Sequence, residues 1–576
     1  MRRRLEALGA VAAGAGVLVL AGLSVSRHRA FWSPDSGLRF VQVEALVRQG
    51  YRRVSIPYPG APFDPGARYL PFSGWFLVRR EGELHILYPP YFPALASLPY
   101  QVVGFPGLLL LPLAGVVAVL GTTASLLKTW TPLAVPAILS TPLSIYGLLF
   151  WDHAPAVGLC AGATALVPAA GLEKRSVPAF LAGVLAGLGL WLRTEMYLFA
   201  LALVLAAWQV FARRVAARIV VGILVPALAV WALNLYLFGH PLGLKGEAAV
   251  GARVAEVRSA VGAVEEWTKR RLLVAYDLLV STEQPHNGEH PERIPLSLAV
   301  SSTVVAGSVL LFWGVRSRDP IWVLAGAVVA ILGPLSAAVT GQHLMGLLPT
   351  TPLVAILSLA ARSPLPEVRF PLLTGALYTA AVLVSASVGG LQWGPRYLLP
   401  AVPLFAWAGL AALVHQSPSW PRGERAVHAA LGILIIGGLV VQSAGMAGIH
   451  ASVRSLATLS GEVERRSAPI LVSGAEPVLR TLAPLYFRRV LLRVDGREAL
   501  RDLVRALSRH RVREWTYIPF TGPRFDREQI ERWSEAERWR FQVVRDEVLP
   551  MVFVAEAREY RALTAVRLIT YRGWEP

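Results

Sequence analysis

The feature that most constrains this chain is a recurring apolar run about as long as a membrane is thick. "ALGAVAAGAGVLVLAGLSV", "PGLLLLPLAGVVAVLGTTASLL" and "AVHAALGILIIGGLVVQSAGMAGI" are three of them. A helix rising about 1.5 Å per residue crosses a hydrocarbon core of about 30 Å with about 20 apolar residues. Runs of this kind fall near 8–26, 105–123, 131–149, 154–170, 177–192, 196–211, 219–238, 297–314, 320–340, 344–361, 370–389, 397–414 and 426–448. They predict an α-helical polytopic membrane protein with about thirteen spans. Only 16% of residues are charged, against about a quarter in soluble proteins.

The first run follows "MRRR" and is longer than the roughly 7–15 residue core of a cleaved signal peptide. With no small-x-small site before "RHRAFW", it reads as an uncleaved first span. The net charge of +19 does not indicate a nucleic-acid partner. The arginines are scattered and many flank apolar runs, as topology signals and contacts to membrane lipid headgroups require. The lone cysteine, Cys160, lies in an apolar run and excludes an intrachain disulfide.

Placing "MRRR" inside sorts the short loops into two classes. The inside set is "LLKTW", "LEKRS", "ARRVAAR", "RSRD", "ARSPLPEVR" and "SPSWPRGER". Together with the N-terminus it holds about fifteen Lys and Arg, while the outside set "FWDHAP", "RTE", "GQH" and "QWGPR" holds two. That asymmetry follows the positive-inside rule and predicts a cytoplasmic-membrane protein with its N-terminus inside.

Three longer segments then fall outside. Within a membrane domain of residues 1–449, residues 27–104 form a first outer loop, and 239–296 carry a helical, charged segment expected along the membrane surface. Residues 450–576 form the third. There "APILVSG", "REWTYIPF" and "WRFQVVRDEVLPMVFVAEA" read as strands, and "GREALRDLVRALSRH" as a helix with Leu500, Leu503, Val504 and Leu507 on one face. "FDREQIERWSEAERW" reads as a second helix. The alternation predicts a small exported C-terminal α/β domain with a partly parallel sheet. No glycine-rich phosphate loop occurs in it.

Specific polar groups gather on the outer face. Asp35 follows the first span in "FWSPDSGLRF". Asp152 and His153 occupy "FWDHAP", Arg193 and Glu195 "LRTE", His343 "GQH", and Arg396 with Tyr397 "GPRY". Lys245 lies in "GHPLGLKG" and Arg39 one helical turn after Asp35. Ionisable groups near membrane depth are costly and usually line a cavity. Each also has a plain reading. Asp35 is a favoured N-cap for "SGLRFVQVEALV", Arg193 and Glu195 suit a mutual ion pair, and Arg396 suits a headgroup anchor. In "EQPHNGEHPER", His286, Glu289 and His290 have metal-ligand types but read as a solvated loop.

A long outer loop after span one that begins with an acid and closes on "YPPYFPALASLPYQVVG", a short acidic outer turn, "LRTE", and a late span opening "GPRYLLPAVP" resemble the GT-C superfamily of membrane glycosyltransferases. The likeness covers roughly residues 1–410 and points to lipid-linked-sugar transferases such as bacterial protein mannosyltransferases and the lipid A aminoarabinose transferase. It implies a polyprenyl-phosphate-sugar donor, a lipid, glycan or protein acceptor, and an inverting reaction. It gives Asp35 the role of general base, with Asp152 positioning the donor or a divalent metal. For His153 three roles stay open: orienting the Asp35 carboxylate, holding a headgroup, or binding a metal with Asp152. The family's first loop often pairs two acids. "SPDSG" supplies one, with Glu44 the next along, so metal dependence is left open.

The chemistry suits those residues independently. A departing phosphate needs charge compensation, for which Arg396, Arg193, Lys245 and Arg39 are candidates. An attacking hydroxyl needs a carboxylate to take its proton. Glu195, His343 and Tyr397 stand as supporting groups. Two rival functions remain at this point. A transporter or flippase of lipid-linked saccharides predicts polar groups on both faces and at mid-membrane. A non-catalytic assembly protein predicts an Asp35 that tolerates substitution.

Overall fold

The computed structural model describes residues 2–72, 76–127, 131–172, 175–248, 264–282, 294–386, 392–416, 421–474, 476–519, 530, 533, 539–550 and 565–575. Among these, eight helices are long and apolar enough to cross a membrane: Leu5–Ser26, Phe105–Leu126, His153–Leu172, Arg213–Phe238, Ile294–Ser317, Pro320–Val339, Pro366–Ser385 and Gly423–Arg466. Ser176–Leu192, Met196–Val210 and Ala401–His415 are shorter apolar helices. The chain is a multi-pass helical membrane protein with a small C-terminal sheet. It divides into two compact units, one of Met1–Ser24 and Leu109–Ala447, the other of Val25–Leu108 and Gly448–Pro576.

In the first unit the helices pack through small residues. Helix Ser176–Leu192 meets helix Arg213–Phe238 where Gly183 and Gly222 face each other. A Cβ on Gly183 would stand 2.1 Å from the Ile219 carbonyl oxygen, and one on Gly222 would stand 2.1 Å from that of Phe180. Only glycine lets these backbones approach so closely.

Two runs expected as single spans are broken instead. The 131–149 run is a helix Thr131–Leu139 followed by a short turn of helix Leu143–Tyr146. The 344–361 run is Leu347–Thr350, a 3₁₀ turn Pro352–Ile356, and Leu357–Ala360. Hydropathy registers the apolar length but not the interruption. Pro142, Pro349 and Pro352 each lack the N–H that would continue a helix. The carbonyls freed there find one side chain: Gln442 Nε2 donates to Thr350 O at 2.8 Å and to Ser140 O at 3.4 Å. Irregular backbone at membrane depth is tolerated only when buried and satisfied in this way. Within residues 239–296, Val264–Leu279 are helical, as their periodicity predicts, and 249–263 and 283–293 lie outside the described residues.

The second unit joins residues Val25–Leu108 to the C-terminal segment. Strands β1 (Leu77–Arg80) and β2 (Glu83–Ile86) form an antiparallel hairpin whose two turn residues, Glu81 and Gly82, have positive φ of 52° and 84°. That is the turn whose twist suits a two-residue hairpin. The larger sheet contains β3 (Ile470–Ser473), β4 (Val490–Arg493), β5 (Glu514–Ile518), β6 (Arg540–Pro550) and β7 (Ala565–Trp574), in the order β4-β3-β5-β7-β6. β3 runs parallel to β4 and β5, and β7 antiparallel to β5 and β6.

The partly parallel sheet is thus present. Helix Arg497–Arg509 buries Leu500, Leu503, Val504 and Leu507 in its core. Strands β4 and β7 escape sequence reading, and the second expected helix, 525–539, lies mostly outside the described residues.

The core of this unit is not made by 450–576 alone. Tyr69, from the first outer loop, packs among Val472, Leu492, Trp515 and Tyr571, and its carbonyl accepts the Arg493 N–H at 2.9 Å. Tyr486 donates to the Pro57 carbonyl at 3.2 Å. The grouping by contact therefore differs from the grouping by sequence, which assigns 27–104 to the membrane domain.

Candidate functional site

In the first unit the short polar turns converge. His153 opens helix His153–Leu172, directly after Asp152. Arg193 ends helix Ser176–Leu192, and Glu195 precedes helix Met196–Val210. Helix ends place these side chains, because a charged residue inside either span would face hydrocarbon. Arg193 Nη1 donates to Asp152 Oδ1 at 2.6 Å and lies 3.1 Å from His153 Nδ1. Its Nη2 donates to Glu195 Oε1 at 3.1 Å, and Lys245 Nζ stands 3.6 Å from the same oxygen. Asp152, His153 and Arg193 are all buried. The mutual ion pair of Arg193 and Glu195 therefore exists, as one edge of a larger network.

Arg396 and Tyr397 form a 3₁₀ turn, Arg396–Leu398, at the start of the 397–414 run. The Arg396 guanidinium lies 4.9 Å from the Tyr397 ring centroid, and its Nη2 donates to Tyr397 Oη at 3.1 Å. Tyr378 Oη donates to the Tyr397 carbonyl at 2.7 Å. Arg396 is within electrostatic range of His153 and of buried Tyr146, so it belongs to the same charge cluster. Burial alone would raise the Glu195 carboxyl. The charges of Arg193 and Lys245 outweigh it and hold that group below the usual carboxylate range.

His343 is placed differently. Its Nε2 donates to the Gln392 carbonyl and its ring meets Trp393 edge to face at 5.5 Å. Trp393 Nε1 in turn donates to Gln442 Oε1 at 3.1 Å. His343 thus braces the loop that carries Arg396.

Asp152 Oδ1 and His153 Nδ1 both stand against the Arg193 guanidinium. Among the described residues no group of three His, Cys, Asp or Glu side chains surrounds a common point. His286, Glu289 and His290 lie outside the described residues.

In the second unit, Asp35 stands in the first turn of helix Pro34–Arg48. The cap is Ser33, whose hydroxyl accepts the Asp35 N–H at 3.2 Å, so the capping role that Asp35 alone suggests falls to its neighbour. Its carboxylate is turned elsewhere: Tyr88 Oη donates to Asp35 Oδ1 at 2.7 Å. Arg39 lies over the Tyr88 ring at 4.2 Å and donates to the Asp35 carbonyl at 3.3 Å. Gln42 fixes the Tyr88 backbone with a 2.9 Å bond to its carbonyl. Arg39 therefore supports Asp35 and Tyr88. Glu44, the alternative acid, is occupied by Tyr100 and by Arg48 at 3.0 Å.

Tyr88, Tyr146, Tyr378 and Gln42 are among the polar side chains at these positions that sequence reading missed. Tyr88 opens the "YPPYFP" motif, which is a signal for it in hindsight. Tyr146 sits in an apolar run and offers none.

The fold and these two groups define a multi-pass membrane protein with a buried arginine–carboxylate cluster and a separately held first-loop aspartate. No family model and no curated protein matches the chain. Among solved structures it is similar to ArnT from Cupriavidus metallidurans bound to undecaprenyl phosphate, at 14% identity and TM-score 0.48, over 98% of both chains. It is also similar to the archaeal oligosaccharyltransferase AglB from Archaeoglobus fulgidus in complex with an inhibitory peptide and a dolichol-phosphate. There the identity is 13% and the TM-score 0.41, over 88% of this chain and 69% of that one.

Proposed function

We propose that this protein is an inverting glycosyltransferase, moving a sugar from a polyprenyl-phosphate donor to an acceptor at the outer face of the cytoplasmic membrane. The observation that carries the reading is the composition of the buried cluster. Arg193 and Lys245 meet Asp152 and Glu195 in it, and Arg396 lies within electrostatic range of His153 beside them. Cations gathered at a buried site favour an anionic ligand, and a lipid-borne phosphate is one that enters from the membrane.

In the proposed reaction the acceptor hydroxyl oxygen forms a bond to the anomeric carbon as the carbon–oxygen bond to the phosphate breaks. The electron pair leaves with the polyprenyl phosphate, whose growing charge Arg193 and Arg396 compensate. Asp35 takes the hydroxyl proton, its carboxylate oriented by Tyr88. A single displacement inverts the anomeric centre. No metal is needed for this balance.

The test is to incubate detergent-purified protein and Asp35→Asn with a panel of polyprenyl-phosphate sugars and membrane extract. Release of free polyprenyl phosphate is followed by mass spectrometry. Release by the wild type alone supports the reading. Binding of donor by both without release points to the transporter or flippase reading instead.

A further inference from the structure

Among the described residues, Tyr146 Oη and His153 Nε2, beside the buried cluster, have no hydrogen-bond partner. Tyr146 is fully buried and His153 is 4% exposed, and their rings are in contact with centroids 5.2 Å apart. A buried hydroxyl or ring N–H without a partner costs about 1–3 kcal/mol, and hydrocarbon surroundings offer no relief. Two such groups side by side mark a place that something polar fills.

The chemistry of the occupant follows from the donors. His153 Nδ1 stands 3.1 Å from Arg193 Nη1, which only donates, and 3.3 Å from Asp152 Oδ1, which only accepts; we assign Nδ1 as the acceptor because the guanidinium contact is the shorter. The ring proton then sits on Nε2, which is a donor. The Tyr146 hydroxyl is a second donor. Both lie in the field of Arg193 and Arg396. Two neutral donors backed by two cations suit an anionic oxygen with several lone pairs, which a phosphoryl group supplies and a sugar hydroxyl does not.

We infer that Tyr146 and His153 form a phosphoryl-oxygen subsite, in which Tyr146 Oη and His153 Nε2 donate to one oxygen of the phosphate that the arginines attract. The inference rests on the phosphate-binding part of the proposed function and adds two ligand contacts to it. It also makes an unusual demand on the ligand-free protein, because Tyr146 holds its hydroxyl in place at a cost to stability.

The experiment measures thermal unfolding and ligand affinity of the full-length protein in nanodiscs, wild type against Tyr146→Phe. The probes are undecaprenyl phosphate, inorganic phosphate and undecaprenol. Phe keeps the ring and removes only the unpaired hydroxyl, so the ligand-free variant is expected to unfold at the wild-type temperature or above it. Its affinity for undecaprenyl phosphate is expected to fall roughly tenfold or more, the effect of losing a hydrogen bond to a charged group, with no change for undecaprenol. His153→Gln, which keeps a donor near Nε2, should lose less affinity than His153→Leu.

A wild type stabilised by inorganic phosphate as well as by the lipid identifies the phosphoryl group itself as the ligand. Stabilisation by the lipid alone shows that the chain is needed to deliver it; either outcome supports the subsite when Tyr146→Phe weakens it. If the wild type binds and Tyr146→Phe binds equally well, the subsite is wrong and the proposed function stands. If the variant loses ligand-free stability in step with affinity, Tyr146 is structural only. If no phosphate probe binds the wild type, the phosphate reading of the cluster falls, and the subsite with it.

Discussion

Arg193 Nη1 touches Asp152 Oδ1 at 2.6 Å and His153 Nδ1 at 3.1 Å, so one guanidinium nitrogen holds two side chains from another helix end. Three loops far apart in sequence are tied by that residue and by Glu195, which receives both Arg193 and Lys245. Breaking one partner of a buried pair leaves the other uncompensated.

Asp152→Ala should therefore destabilise the protein by about 3–5 kcal/mol. Asp152→Asn should cost less, because it keeps an oxygen for Arg193. A double-mutant cycle of Asp152→Ala with Arg193→Ala, read by thermal unfolding in detergent, should show strong coupling. Additive losses would mean that the pair contributes nothing as a pair.

Asp35→Asn should lower turnover by roughly 10²–10⁴-fold, the usual contribution of a positioned base, with donor affinity unchanged. Tyr88→Phe removes the bond that orients the carboxylate and should reduce turnover less, at unchanged unfolding temperature. Steady-state rates of polyprenyl phosphate release check both. Full activity in Asp35→Asn would remove it from the reaction.

Tyr69→Ala should open a cavity in the sheet core and cost about 3–5 kcal/mol, although residue 69 lies in the first outer loop. Limited proteolysis should then cut between residues 450 and 576 in the variant before the wild type. A pattern confined to residues 25–108 would show that the two segments fold separately.

Gln442→Leu keeps the volume and leaves the Thr350 and Ser140 carbonyls and Trp393 Nε1 without the amide. It should cost on the order of 1–3 kcal/mol per unsatisfied group and weaken donor binding through the Trp393–Arg396 loop. Gly445→Ala tests the same contact, since a Cβ there would stand 2.3 Å from the Trp393 ring. Thermal unfolding and donor affinity measured together check both variants.

Glu195 gives a pH dependence with a definite sign. Its folded-state affinity for protons is depressed, so the native state binds fewer protons than the unfolded chain through the acid range. Its contribution is full above the ordinary glutamate pKa of about 4.3 and disappears as pH falls through the depressed folded value. The stability difference between wild type and Glu195→Gln should thus be constant from neutral pH down to about 5 and shrink below about 4. A difference that grew on acidification would reverse the assignment.

Span positions were legible because apolar length is written directly in the sequence, and the gathering of Asp152, His153, Arg193 and Glu195 at helix ends followed from it. Helix breaks were not. Pro142, Pro349 and Pro352 are visible as residues, yet other spans keep a proline inside a continuous helix, as Pro226 does in Arg213–Phe238. What differs is Gln442, distant in sequence, which accepts the cost of the freed carbonyls. Tyr146 was hidden for a related reason: a tyrosine in an apolar run reads as packing, and only the lack of a partner for its hydroxyl among the described residues distinguishes it. The Leu500–Leu507 face was legible from its spacing. The insertion of Tyr69 among those leucines was not, since nothing local in "GARYLPF" records a partner more than four hundred residues later.

That partnership has a consequence for how the protein is made. The hydrogen bond from Tyr486 to Pro57 spans 429 residues, so residues 25–108 leave the ribosome long before the chain that completes their core exists. Tyr69 and its neighbours must wait, unfolded or held by a chaperone, while the intervening helices are inserted. A ribosome that stalls anywhere before β7 leaves that early loop without its core. Completion of synthesis and burial of the first loop are one event, which gives proteases in the loop's compartment a direct means of telling finished molecules from abandoned ones.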